Sequence, residues 1–162
     1  MPDFTNFFVA SKGQPITYKG QIIYGLDRFP VKNSDVLIAH IETANSEYRQ
    51  GFCIDITGHC EMDGKTFKKE KGIRMLFWQD TAPQEIRLKV FTKKDHVVVY
   101  NIWEQTNYYL AGGPKESKSV EFWNNGAAMM TEEIENGRRY RCNDGTPDED
   151  FNDIVFTVQR IR

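Results

Sequence analysis

Ile86-Arg87-Leu88-Lys89-Val90 carries an apolar side chain at every second residue. In an extended chain successive side chains point to opposite faces, so Ile86, Leu88 and Val90 share one face while Arg87 and Lys89 share the other. One face is buried and the other wet. Strand-length runs rich in β-branched and aromatic residues recur at 7–10, 21–24, 36–42, 52–57, 73–78, 86–92, 97–103, 119–123, 138–142 and 154–161. The turn-forming pairs Asp63-Gly64, Lys71-Gly72, Asn125-Gly126, Asn136-Gly137 and Asp144-Gly145, with Gly112-Gly113-Pro114, punctuate them. No segment sustains helical periodicity for three turns, and 129–134 has room for one short helix at most. Short strands at this spacing predict an all-β fold, a two-layer antiparallel β-sandwich rather than a barrel or a βαβ fold. With no internal repeat or low-complexity linker, residues 1–162 read as a single domain, 1–30 forming an extra N-terminal hairpin.

A chain of 162 residues, 40% hydrophobic and with a formal charge of -2, has the size and composition for one core. So small an acidic excess, without any lysine- or arginine-rich block, creates no field to draw a phosphate backbone or anionic lipid. Neither nucleic acid nor membrane insertion is expected, since no window approaches 18 apolar residues. Residues 1–11 lack the features of a secretory leader, so the expected location is cytoplasmic, or outside the cell by a route without a classical signal peptide. Three cysteines, Cys53, Cys60 and Cys142, cannot all pair within one chain.

Chemistry concentrates near the C-terminus. The segment Asn143-Asp-Gly-Thr-Pro-Asp-Glu-Asp-Phe-Asn-Asp153 holds five carboxylates and two amides in eleven residues, directly before the apolar run 154–158. Like charges held in one folded loop raise one another's pKa unless a positive charge sits among them. Calcium suits such a site, because it takes six to eight oxygen ligands in flexible geometry whereas magnesium demands a tight octahedron. Alternation lets Asp148, Asp150 and Asn152 converge while Phe151 turns towards apolar surface, with Asp153 entering from the strand. An EF-hand is excluded: position six would be Asp153 and position twelve Gln159, where that loop needs glycine and glutamate. The plainer alternative is a solvated acidic turn, but Asp144-Gly145-Thr146-Pro147 already suffices for a turn and leaves four further polar ligands without a reason.

This stretch, followed by an alternating last strand, resembles the calcium loop of the bacterial calcium-mediated lectins that bind fucose and mannose. Upstream, Ala44-Asn45-Ser46 before the strand at 51–57 is similar to that family's other ligand loop. The resemblance implies a β-sandwich in which calcium ligates the hydroxyls of a monosaccharide directly. It implies metal-ligand roles for Asn45, Asn143, Asp148, Asp150, Asn152 and Asp153, and sugar contacts from Ser46, Asp144, Asp148 and Asp150. The chain departs from the family at Pro147, an insertion, at Asn143, where the family has a bridging glutamate, and at Glu47 and Tyr48, where the family has small residues. Other bacterial β-domains share the Asp-x-Asp-Phe-Asn-Asp tail, so the motif speaks for calcium more strongly than for sugar.

Trp103, Tyr108, Tyr109 and Trp123 fall near loop ends, where a ring can stack on a pyranose, although packing is the commoner fate of such rings; Trp78 reads as core. Cys53, His59 and Cys60 do not complete a zinc or nucleophile pattern and read as buried thiols beside a structural histidine. His40 and His96 each stand alone on a strand. Glu132, Glu133 and Glu135 do not establish two carboxylates flanking a glycosidic bond, so no enzyme is expected. Arg139 and Arg141 share a strand face and are expected to pair with nearby carboxylates. The chain therefore reads as a non-catalytic, calcium-dependent carbohydrate-binding protein whose partner is a glycan or monosaccharide, and whose avidity would call for a homo-oligomer. The alternative is a structural or adhesive sandwich in which calcium only adds rigidity.

Overall fold

The computed structural model describes residues 4–109, 115–123, 127–144 and 150–161. Two antiparallel sheets face each other across one core. In the first, β5 (Arg49–Ile56) lies between β8 (Ile73–Trp78) and the long β10 (His96–Tyr109). The far edge of β10 is shared end to end by β3 (Asp27–Pro30), against its first residues, and β11 (Lys115–Glu121), from Trp103 onward. The second sheet has the order β12 (Ala128–Ile134), β13 (Gly137–Asn143), β14 (Ile154–Ile161), β4 (Val36–Ala44), β9 (Ile86–Thr92), β6 (Gly58–Met62) and β7 (Lys65–Lys68). This is the two-layer antiparallel sandwich expected from the alternation.

The burial of β9 follows the reading directly: Ile86, Leu88 and Val90 are buried, Arg87 and Lys89 exposed. Across the layers, the Phe52 ring of β5 stacks on Phe156 of β14 with centroids 4.2 Å apart. Phe156 in turn stacks on Tyr140 of β13 at 4.9 Å. Strands pass so close at Gly137 that a Cβ there would lie 2.0 Å from the Val158 carbonyl oxygen, leaving glycine as the residue that fits.

The N-terminal segment differs from expectation. Residues 7–10 belong to a short helix, α1 (Phe4–Ala10), followed by a hairpin of β1 (Ile16–Tyr18) and β2 (Gln21–Ile23). Phe4 and Phe8, four residues apart, turn to the same side of the helix, and this 3.6-residue repeat competes with the strand propensity of Phe and Val. Phe4 packs with Ile23, Ala128 and Phe151 in a second small core. Tyr24 and Met129 exchange two backbone hydrogen bonds of 2.8 Å, fastening the hairpin to the edge strand β12.

Residues 129–134, allowed a short helix from the sequence, lie in β12, paired with β13 around a two-residue turn at Glu135-Asn136. Cross-strand pairing won over local propensity there. The hairpin β6–β7 closes on Asp63 (φ 54°) and Gly64 (φ 75°), both left-handed as a type I′ turn requires. Its turn was legible, but its strands are too short and polar to stand out. No helix among the described residues is long and apolar enough to cross a membrane.

Candidate functional site

The acidic segment joins β13 to β14, and the register of β14 against β4 decides what lies beside it. Ile154 pairs with Ala44, so the chain leaving β4 at Asn45 runs alongside the end of the acidic loop. The Asn45 N–H donates to the Asp153 carbonyl at 2.9 Å, and the Asp153 N–H donates to the Cys142 carbonyl at 3.0 Å. The Asp144 N–H donates to Asp153 Oδ2 at 2.8 Å. Two segments about a hundred residues apart thus form one site, and both ends of the loop are clamped.

Phe151 adopts a left-handed backbone (φ 53°), uncommon for a bulky residue. Its N–H donates to Asn143 Oδ1 at 2.7 Å, while its side chain is buried in the second core against Phe4, Ile23 and Ala128. That anchor turns the loop. Asn143 is held from the opposite sheet as well, its carbonyl accepting from Asn101 Nδ2 of β10 at 2.9 Å.

The site has two tiers. In the inner one Asn143, Asp144, Asp153 and Gln50 are all buried. Asp144 Oδ2 accepts from Ser46 Oγ at 2.6 Å and from Gln50 Nε2 at 3.0 Å. In the outer tier Asn45, Asp150 and Asn152 are exposed. Asn152 donates its N–H to Asp150 Oδ1 at 3.2 Å, and its side-chain nitrogen, in the orientation that satisfies both groups, lies 2.7 Å from each Asp150 oxygen. Asn45 Nδ2 reaches the Asn152 carbonyl at 3.4 Å. Asp148, expected to be a ligand to both metal and sugar, lies outside the described residues.

Among the described residues, three buried side-chain polar atoms have no hydrogen-bond partner: Gln50 Oε1, Asn143 Nδ2 and Trp103 Nε1. Gln50 and Trp103 are direct cross-strand partners of β5 and β10, and Gln50 touches Asp144, so the orphaned amide oxygen sits on the inner tier. A buried acceptor left unsatisfied costs about 1–3 kcal/mol, which marks a position that a cation or an ordered water would complete. Carboxylate, amide and carbonyl oxygens are the donor set that calcium takes. Among the described residues, no three side chains of His, Cys, Asp or Glu are grouped to hold a metal.

Gln50 and Asn101 were not singled out from the sequence. Their signal is a polar residue interrupting the inward face of an otherwise apolar strand, which is visible in Val97-Val-Val-Tyr-Asn101-Ile-Trp103.

The other candidates resolve into packing and pairing. Trp103 is buried, Trp123 is 39% exposed, and Trp78 is half-buried beneath the Arg49 guanidinium, 4.4 Å from its ring centroid. The side chains of Tyr108 and Tyr109 lie outside what the structure describes. His59 stacks on Phe91, His40 Nδ1 meets the Gln84 carbonyl at 2.7 Å, and His96 Nδ1 lies 2.8 Å from Asp95 Oδ1. Glu132 pairs with Arg139 and Arg141 and Glu133 with Arg138, while Arg139 also pairs with Glu42.

All three cysteines are buried and free. Burial pushes the Cys53 thiol up to about 12 and the Cys60 thiol up to about 11. Burial, followed by the neighbouring Asp153 carboxylate, raises Cys142 well above its ordinary value. Because the thiolate is the nucleophile, a thiol reagent at pH 8 is expected to leave the native protein unlabelled and to modify all three once urea unfolds it. Above pH 9.0, the ordinary thiol value, the unfolded chain releases the Cys53 proton that the native state keeps, so stability falls as pH rises towards 12. Native labelling at pH 8 matching the denatured rate would show the sheets opening locally.

Comparison with protein-family models, with curated proteins and with solved structures finds no match for the chain.

Proposed function

We propose that the protein is a calcium-dependent carbohydrate-binding protein, with the ion held between the acidic loop and the segment leaving β4. The observation that carries this reading is the meeting of Asn45, Ser46 and Gln50 with Asp144 and Asp153, where the buried Gln50 oxygen has no partner among the described residues. Asp144, Asp153 and the Gln50 amide would hold the ion from within, and Asp150, Asn152 and Asn45 from the surface. Bound calcium would supply a Lewis-acidic centre for vicinal hydroxyls, and a shell left unfinished by protein is one that a sugar completes. The residues' own part is to fix the loop: Asn143 holds Phe151, Asp153 holds Asp144, and Ser46 orients the Asp144 carboxylate.

One observation favours the rival reading of calcium for rigidity alone. Asp144 and Asp153 are only 0% and 2% exposed, so an ion confined to the inner tier would present no open position to a sugar.

The test is a thermal melt in EDTA and in millimolar calcium, repeated with fucose, mannose and other monosaccharides. A ligand that binds only the native state stabilises by RT ln(1 + [L]/Kd), so calcium at a hundred times its Kd is expected to raise the midpoint by roughly 5–10 °C. A further rise with one sugar supports the lectin reading; a calcium shift indifferent to every sugar supports the rigidity reading. Without any calcium shift both fail. Asp150→Ala, at an exposed position, is expected to abolish calcium and sugar binding together. Sugar binding that outlives the loss of calcium would sink the mechanism.

A further inference from the structure

Between α1 and the chain leaving β11 lies an open cleft of about 660 Å³. Its walls are Phe8, Val9, Leu26, Phe122 and Trp123. We infer that this cleft is a binding site for a small amphipathic carboxylate, its apolar body lying between the Phe8 and Trp123 walls and its head group at Lys12.

Three observations carry the inference. The volume falls within the range of small-molecule sites, which are mostly apolar clefts with a few polar groups at the edge. Its aromatic wall is built rather than incidental. Trp123 takes a left-handed backbone (φ 56°), a strained choice for a large side chain, and the residue stays 39% exposed. Its ring is braced edge-on against Phe122 at 4.9 Å and tilted against Tyr100 at 5.0 Å, and Thr5 Oγ1 donates to the Trp123 carbonyl at 3.4 Å. On the facing wall a Cβ at Gly25 would lie 3.4 Å from the Phe8 ring, so glycine lets the ring settle closely against the chain.

The third observation is the charge at the rim. Among the described residues, two ionisable ones line the cleft, Lys12 and Glu121. Glu121 Oε1 accepts from Ser119 Oγ at 2.7 Å, whereas Lys12 is exposed and makes no ion pair among the described residues. The backbone at Lys12 is held by the end of α1: it occupies the left-handed position (φ 56°), where Gly13 N–H donates back to the Phe8 carbonyl at 2.9 Å and Lys12 N–H to the Val9 carbonyl at 3.1 Å. A lysine at the rim of an apolar trough favours an anionic head on an apolar body, and a carboxylate on a chain of about ten carbons is within the size such a cleft accepts.

Decanoate, titrated calorimetrically into the full chain below its aggregation concentration, is the test. Saturable one-to-one binding is expected, weakened about tenfold or more by Trp123→Ala and about fivefold by Lys12→Gln, with 1-decanol binding as weakly as decanoate binds the lysine variant. Thermal melts of both variants establish that they are folded, and Leu26→Trp, which fills the cleft, provides an independent block. Absence of saturable binding to the wild-type chain overturns the site. Binding unchanged by both Trp123→Ala and Leu26→Trp also overturns it. Decanol matching decanoate overturns the carboxylate at Lys12. Binding to phosphatidylglycerol vesicles with none to decanoate would make the face a lipid-surface contact and overturn the cleft as a ligand site. None of these outcomes depends on calcium, so the cleft stands or falls separately from the sugar-binding reading.

Discussion

Phe156→Ala is expected to lower the stability of the protein by about 3–5 kcal/mol, the range found for truncating a core phenylalanine. Phe156 lies on β14, third from one edge of the seven-stranded sheet, and is 0% exposed. Its ring is stacked on Phe52 from the other sheet and on Tyr140 from the adjacent strand, so alanine removes the middle of a three-ring stack that joins the layers. Neither neighbour can move in to fill the gap: Phe52 also packs on Phe77, and the Tyr140 hydroxyl is bonded to Asp27. The cavity therefore persists, and its cost adds to the lost transfer free energy. Urea unfolding should show a lower midpoint at unchanged slope. A loss below about 1 kcal/mol would mean that the sheets close over the gap and that the stack is not rigid.

Asp27→Ala is expected to cost about 3 kcal/mol, through a different mechanism. Asp27 of β3 is 5% exposed and accepts from Arg138 Nη1 at 2.8 Å and from the Tyr140 hydroxyl at 2.5 Å, both on β13 of the opposite sheet. Burial, and then the Asp27 carboxylate, hold the Tyr140 hydroxyl well above its ordinary pKa, which favours the protonated, donating form. Alanine at position 27 strands a buried hydroxyl and a guanidinium whose side chain is 23% exposed, and breaking a buried pair from one side costs more than the pair itself contributes. Arg138 retains Glu133 at 2.7 Å, which places the expected loss at the lower end of the usual range. Asp27→Asn is expected to cost less, because the amide oxygen still accepts from Tyr140. In a double-mutant cycle, Asp27→Ala with Tyr140→Phe should be less destabilising than the sum of the two; strict additivity would show that the hydroxyl and carboxylate do not act together.

Much of the sandwich was readable because a half-buried strand writes its burial into its sequence. Ile86 to Val90 alternate as the pleat requires, and the observed burial alternates with them. The legible strands are those where side-chain period and burial coincide. Where an element is set by what it docks onto, local sequence misleads: residues 7–10 have strand-like composition yet form part of a helix because Phe4 needs Ile23, Ala128 and Phe151, and β12 is a strand because β13 offers it a ladder.

The same division runs through the candidate site. Composition marked the acidic segment, crowded with carboxylates, as the candidate for cation chemistry, and the resemblance to the calcium-mediated lectins marked Asn45 and Ser46 as its other side. Only the tertiary structure decided that these segments touch, because Ile154 pairs with Ala44 in a register that no local pattern encodes. It alone decided which oxygens are buried and which exposed, and it brought in Gln50 and Asn101, polar residues on strands that read as core. The cleft at Trp123 belongs wholly to the second kind. Phe8, Leu26 and Trp123 come from three separated segments, and a sequence records the chemistry of each side chain but not the company that pairing between distant strands will give it.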